Sequence, residues 1–138
     1  MNILIVSQYF WPENFRINEI SKYLLKKGYN VDIYTTYPNY PFKDVFRDIK
    51  YDDKNFDKNI NIIRIPSFSR GKADSFSLFL NYFSFILSGI FFSHFKLRGK
   101  KYDYILTFAT SPVTVSLISI YINFFKKSKL VIWLLDYW

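Results

Sequence analysis

Polar and charged side chains that can bind or react are gathered in four short stretches of this chain. They are Glu13, Asn14 and Arg16; Asn39 and Tyr40; Ser111; and Asp136. Carboxylate, amide, guanidinium and hydroxyl groups of this kind bind sugar hydroxyls and phosphates, and a carboxylate can also act as a general base. Each stretch follows an apolar run, so the chemistry is expected where strands end.

The first stretch lies in the segment 7–14, which reads SQYFWPEN. It lacks the G-x-G-x-x-G pattern that lets a backbone approach a dinucleotide, so we do not expect NAD or FAD binding. Glu13, Asn14 and Arg16 fall at a predicted helix start, where free amides and the helix dipole favour phosphate or hydroxyl groups. Helix capping by Glu13 and Asn14, with Arg16 on the surface, fits equally well.

The second stretch, 36–41, reads TYPNYP. Two prolines stiffen this loop, and its tyrosine rings suit stacking against a sugar or an isoprenoid. Asn39 and Tyr40 would shape that pocket. A packed turn without any ligand explains the same residues.

The third and fourth stretches end two later strands. Ser111 offers a hydroxyl at a predicted helix start, where an N-cap is the commoner role. Asp136 is the only carboxylate in an apolar and aromatic stretch; it is either a candidate general base or a group that binds backbone donors. The single histidine, His94, is expected to cap or to lie at an interface rather than to catalyse.

The composition narrows the classes of partner. The net charge is +8, from 19 Lys and Arg against 11 Asp and Glu, which favours anionic lipid or phosphorylated substrates. The basic residues are scattered, so nucleic acid is not expected. No cysteine and one histidine argue against a metal site. We expect no metal and no cofactor, and without a signal peptide we expect the cytoplasm.

The elements that must position these residues alternate along the chain. Strands are predicted at 2–6, 31–35, 60–66, 104–108 and 130–135, and helices near 12–28, 76–97 and 111–125. This order predicts an α/β fold with a doubly wound parallel sheet in the strand order 3-2-1-4-5. Parallel strands bring their carboxyl ends to one edge, so the four stretches are expected to line one ligand cleft.

The segment 76–95 carries no charge over twenty residues, which is long enough to span a bilayer. A crossing is disfavoured because the strands before and after it must join one sheet. Two alternatives stay open: a helix buried in the core, and a helix with one side on the sheet and another against lipid. We favour the second. Small polar residues form one stripe on this helix: Ser77, Asn81, Ser84 and Ser88.

Taken together, these segments resemble the start of bacterial family 4 glycosyltransferases of capsule, O-antigen and colanic acid synthesis. The matching segments are 3–6, 9–13, 15–19, 27–31, 36–41, 109–112 and 133–138. The resemblance implies a GT-B architecture of two Rossmann-like domains. In that architecture the N-terminal domain receives the acceptor, the C-terminal domain holds the nucleotide-sugar, and transfer retains the anomeric configuration without a metal.

By this resemblance, residues 1–138 are a truncated N-terminal, acceptor-side domain without the donor domain. We expect it to bind a polyprenyl-linked saccharide at the inner face of the plasma membrane, and not to transfer sugar alone. Acceptor or donor phosphate would be positioned by Glu13, Asn14 and Arg16, and the cleft lined by Ser111 and Asp136. The alternatives are a non-catalytic membrane-associated Rossmann module (a truncated gene product or a split-enzyme subunit) and a soluble domain that binds a nucleotide itself.

Overall fold

A computed structural model describes residues 1–41, 52–110 and 112–135 of the chain. Two predicted site residues, Ser111 and Asp136, lie outside the described residues. The strands are β1 (Asn2–Ser7), β2 (Asn30–Thr36), β3 (Asn61–Ile65), β4 (Tyr104–Ala109) and β5 (Lys129–Leu134). The helices are α1 (Arg16–Lys26), α2 (Ser75–Lys96) and α3 (Ser116–Lys126), with short 3₁₀ turns at Asp53–Asn55 and Val113–Val115.

The five strands form one sheet in the order β3-β2-β1-β4-β5, and every neighbouring pair is parallel. This confirms the predicted fold class and strand order. β1 occupies the centre, where Ile5 pairs with Ile33 of β2 and with Leu106 of β4. Its continuous apolar run suits a strand that is covered on both faces.

Helices cover the two faces of the sheet unequally. Ile3 and Ile5 pack in one core cluster with Ile17 of α1. Leu4 and Val6 point to the other face and pack in a cluster that includes residues of α2 and α3. Alternate residues of β1 therefore serve two separate cores, as the pleat of a strand requires. The result is a Rossmann-like α/β domain.

α1 begins later than the sequence predicts. Phe15 is its N-cap residue and makes no side-chain capping bond. Residues 10–13 instead form a turn closed by the hydrogen bond from Glu13 N to Phe10 O, 3.1 Å. The expectation that Glu13 and Asn14 stand at the helix start, or cap it, is therefore wrong.

α2 has a buried side and an exposed side. Asn81, Phe85, Gly89 and Ser93, each four residues from the next, are buried against the domain. The opposite stripe is apolar and exposed: Phe79, Phe83, Leu87, Phe91 and Phe95. Because this stripe is exposed, complete burial of the helix in the core does not occur. Within the described residues α2 is the one helix long and apolar enough to span a bilayer by length and composition, yet the strands on either side of it, β3 and β4, lie in the same sheet.

Candidate ligand-binding site

The loops after β1 and β2 meet at the carboxyl edge of the sheet through the carboxylate of Glu13. This side chain is only 3% exposed. One oxygen accepts the backbone N–H groups of Asn39 (2.7 Å) and Tyr40 (2.6 Å), and the other accepts that of Phe10 (3.1 Å). Three of the predicted site residues, Glu13, Asn39 and Tyr40, are thus in direct contact.

Burial raises the pKa of the Glu13 carboxyl, even though its three backbone donors and the positive charge of Arg64 act to lower it. Both oxygens of this carboxylate are occupied by backbone donors. Glu13 therefore positions the loops that form this edge instead of presenting a free carboxylate to a ligand.

The other predicted site residues take no described part in the contact between Glu13, Asn39 and Tyr40. Asn14 is exposed on the segment that leads into α1, and Arg16 is exposed as the first residue of that helix. Ser111 and Asp136 lie outside the described residues. Their described neighbours Thr110 and Leu135 follow β4 and β5 at the same edge, where Leu135 N donates to Ala109 O at 3.1 Å.

Arg64, near the end of β3, is a structural cation that the sequence analysis missed. It is 7% exposed and forms an ion pair with Asp53 at 2.6 Å. Its guanidinium also donates to the backbone oxygens of Thr36 and Trp11. This arginine of β3 therefore ties together the loop after β1, the end of β2 and the 3₁₀ turn that precedes β3. The only sequence signal was a lone charge in the apolar run 62–65.

Asn81 of α2 also connects the loops through hydrogen bonds, and it is fully buried. Its side-chain oxygen accepts from Gln8 Nε2 (2.8 Å) and Tyr9 Oη (3.3 Å). Its side-chain nitrogen donates to Asn39 Oδ1 (3.3 Å) and to the backbone oxygen of Phe68. The sequence analysis placed Asn81 in a polar stripe but did not identify it as the amide that fixes three loops.

Three aromatic rings and one cation lie beside these loops. The rings of Tyr9, Phe15 and Tyr40 have centroids 5.1 to 5.3 Å apart. The guanidinium carbon of Arg70 lies 4.8 Å from the Tyr40 ring centroid and 5.8 Å from that of Tyr9. Arg70 also donates to Tyr9 Oη at 3.2 Å. Burial raises the pKa of that hydroxyl, so Tyr9 stays neutral.

The described residues of this edge offer binding groups. Aromatic faces suit sugar rings or isoprenoid chains, and a guanidinium suits phosphate. Among the described residues no cluster of three or more His, Cys, Asp or Glu is placed to hold a metal ion. At the opposite edge of the sheet, Asp32 accepts from Lys100 and Tyr102, at 2.7 and 2.6 Å, so that carboxylate is already paired.

The fold and this edge together define a Rossmann-like α/β domain with a candidate binding site where the first two strands end. No protein-family model and no curated protein matches the chain.

Proposed function

We propose that this domain binds the acceptor of a retaining glycosyltransferase, which moves a sugar from a nucleotide-sugar to a lipid-linked saccharide in surface polysaccharide synthesis. The observation that carries the proposal is the group formed by Tyr9, Tyr40 and Arg70 at the carboxyl edge of the parallel sheet. Ligands bind at this edge in doubly wound folds. The resemblance of the sequence to family 4 glycosyltransferases supports the same assignment.

The chemistry of a polyprenyl-diphosphate-linked saccharide matches the groups on this edge. Tyrosine rings stack on sugars and contact isoprenoid carbons, whereas a guanidinium binds phosphate oxygens. Asn14 and Arg16 are exposed next to these rings in the sequence and remain candidate contacts for the acceptor. Ser111 and Asp136 remain candidates for the cleft wall, with Asp136 the candidate catalytic group. The nucleotide-sugar would be held by a second domain, and no other cofactor is required.

The test is a binding measurement on the 138-residue chain with a polyprenyl-diphosphate-linked saccharide in detergent micelles. Tyr40 is 39% exposed and lies in the ring cluster, so Tyr40→Ala should weaken binding about tenfold, the effect of losing roughly 1.4 kcal/mol. Tyr23→Ala is the matched control, because Tyr23 is 59% exposed on α1 and remote from the rings. If the folded wild-type chain binds no lipid-linked saccharide, the proposal fails.

A second candidate, a non-catalytic membrane-associated module, is favoured by one specific observation. The exposed stripe of α2 is joined by apolar residues of the neighbouring α3, whose exposed members are Leu117, Ile120, Phe124 and Phe125. We call these two sets together the apolar face. Basic residues lie at or just after the ends of both helices, among them Lys96, Arg98 and Lys127. Apolar side chains bordered by cations are typical of proteins that lie on an anionic membrane surface.

Both candidates place the domain at the inner face of the plasma membrane, so vesicles test that shared part. Phe83→Ser combined with Leu87→Ser should reduce sedimentation with vesicles that contain phosphatidylglycerol. Tyr23→Ser should not, because α1 packs on the opposite side of the sheet. Equal sedimentation of both variants would contradict membrane docking. Tighter vesicle binding after a lipid-linked saccharide is added would favour the acceptor domain over the module.

A further inference from the structure

We propose that Arg70 is the group that binds the diphosphate of the ligand at this edge. The choice of a diphosphate rests on the proposed function, whereas the availability of Arg70 rests on contacts alone. A diphosphate occurs both in a lipid carrier and in a nucleotide-sugar, and the shared chemistry is a pair of phosphates that accept hydrogen bonds from a guanidinium.

The two arginines of this edge differ in what they already bind. Arg64 is held by Asp53 and by two backbone oxygens. The side chain of Arg70 makes one hydrogen bond within the described part of the chain, to the neutral hydroxyl of Tyr9, and it forms no ion pair with a carboxylate there. Its Nε is buried without an acceptor among the described residues. A guanidinium carries five N–H donors, so besides this buried group and the donor bonded to Tyr9, the remaining donors on its two Nη atoms are left for an anion.

Glu13 and Asp74, two carboxylates of this part of the structure, already accept hydrogen bonds from other groups. Glu13 accepts three backbone N–H groups at the loops after β1 and β2. Asp74, four residues after Arg70, caps α2 by accepting from the backbone N–H groups of Phe76 and Ser77 and from the Ser77 hydroxyl. The amino end of α2 therefore carries its own carboxylate, and the positive charge of Arg70 is not neutralised by either side chain.

The loop that carries Arg70 is fixed at both ends. Both backbone polar groups of Phe68 bind side chains of α2: its N–H donates to Ser84 Oγ at 2.9 Å, and its carbonyl oxygen accepts from Asn81. A turn closed by Ala73 N and Arg70 O, 2.9 Å, then leads into α2. Between these anchors the guanidinium lies over the Tyr40 ring and is held there by cation–π attraction. The N–H groups of a guanidinium lie in its plane and point outward from its edge, so this contact leaves them able to bind an anion.

The experiment is isothermal titration calorimetry of the whole 138-residue chain with inorganic diphosphate, farnesyl diphosphate and UDP. Arg70→Gln should weaken binding of the preferred probe at least tenfold. Arg70→Lys should be intermediate, because it keeps the charge but loses the planar fork. Lys26→Gln removes the same charge from the exposed last turn of α1 and should bind as wild type. Near-ultraviolet circular dichroism checks that each variant is folded.

The outcomes identify the source of the diphosphate and test the Arg70 site separately from the proposed function. Farnesyl diphosphate binding more tightly than UDP supports Arg70 as a site for the carrier lipid, and the reverse order supports a nucleotide diphosphate. Equal weakening by Arg70→Gln and Lys26→Gln means general charge attraction and overturns the site. If wild type binds the lipid-linked saccharide but no diphosphate probe, and Arg70→Gln binds that saccharide equally, the Arg70 proposal fails while the proposed function stands. If the diphosphates bind and the saccharide does not, the proposed function fails alone.

Discussion

Glu13 is a carboxylate that the fold has removed from water, and its environment acts on its ionisation in two opposing ways. Burial disfavours the charge, whereas three backbone donors and Arg64 favour it. Burial has the larger effect, so the pKa of Glu13 is raised. The folded chain therefore holds this proton to a higher pH than the unfolded chain does.

This shift predicts how stability depends on pH. A group with a raised pKa in the folded state contributes most below its unfolded pKa, which is about 4.3 for glutamate, and the contribution is lost as the pH rises through the folded value. The free energy of unfolding of wild type, minus that of Glu13→Gln, should therefore decrease from pH 4 toward pH 7. Urea titrations measure both values.

Glu19→Gln is the control for this measurement, because Glu19 is exposed on α1. A decrease of the same size in both variants would show that the effect does not come from the buried site of Glu13, and it would contradict the prediction. An increase with pH in the Glu13 difference would mean that the three backbone hydrogen bonds outweigh burial, and it would contradict the prediction.

Some of the residue-scale contacts followed from the sequence and some did not. Glu13, Asn39 and Tyr40 meet because β1 and β2 are adjacent parallel strands, which the order of elements predicts. Arg64 and Arg70 resembled ordinary basic residues, since their roles depend on Asp53 and on the tyrosine rings. Those contacts cross 11 to 61 residues of sequence, which local pattern does not encode.

At the scale of elements, the buried polar side chains of α2 differ in whether they have hydrogen-bond partners. Asn81 makes four hydrogen bonds, whereas the buried hydroxyl of Ser88 has no partner among the described residues. Asn81→Ala should lower the free energy of unfolding by about 1–3 kcal/mol, because it leaves buried groups unpaired. Ser88→Ala should leave stability unchanged or raise it slightly. Thermal unfolding of both variants tests this, and equal losses would contradict it.

The contact between α2 and α3 depends on a glycine. A Cβ at Gly89 would lie 2.6 Å from Ile118 Cδ1 and 2.9 Å from Ile118 Cγ1. Gly89→Ala should therefore destabilise the fold by about 1–3 kcal/mol through overpacking, even though alanine is the better helix former.

The matched test is a double-mutant cycle with Ile118→Val, which removes the Cδ1 methyl. Alone, Ile118→Val should lower the free energy of unfolding by about 0.5–1.5 kcal/mol through lost packing. In the Gly89→Ala background it should cost less or restore stability. Strict additivity of the two changes would exclude a steric contact between these positions.

Sequence pattern was least informative for the helices. The apolar segment 76–95 predicted a helix, but residues that are apolar on nearly every side do not reveal which stripe faces the sheet. Proline and glutamate at 12 and 13 are typical of a first helical turn, yet Glu13 is used by the loop after β2 and the helix starts at Arg16. In both cases tertiary contacts decided what local preference left open.

At the scale of the whole molecule, the net charge of +8 and the apolar face would make separable contributions to the proposed membrane binding. The Debye length falls from about 10 Å at 0.1 M salt to about 3 Å at 1 M salt, so the charge contribution should largely disappear over that range. Sedimentation with anionic vesicles should therefore fall with salt to a plateau above zero. Phe83→Ser with Leu87→Ser should remove the plateau, and complete loss in wild type would contradict a role for the apolar face.

The position of β1 also has a consequence for biosynthesis. β1 is synthesised before both of its partners, because it needs β2 on one side and β4, more than ninety residues later, on the other. The backbone N–H and C=O groups on the β4 side of β1 therefore stay unpaired until Tyr104–Ala109 has been translated. Until then they can bind a chaperone or a neighbouring nascent chain.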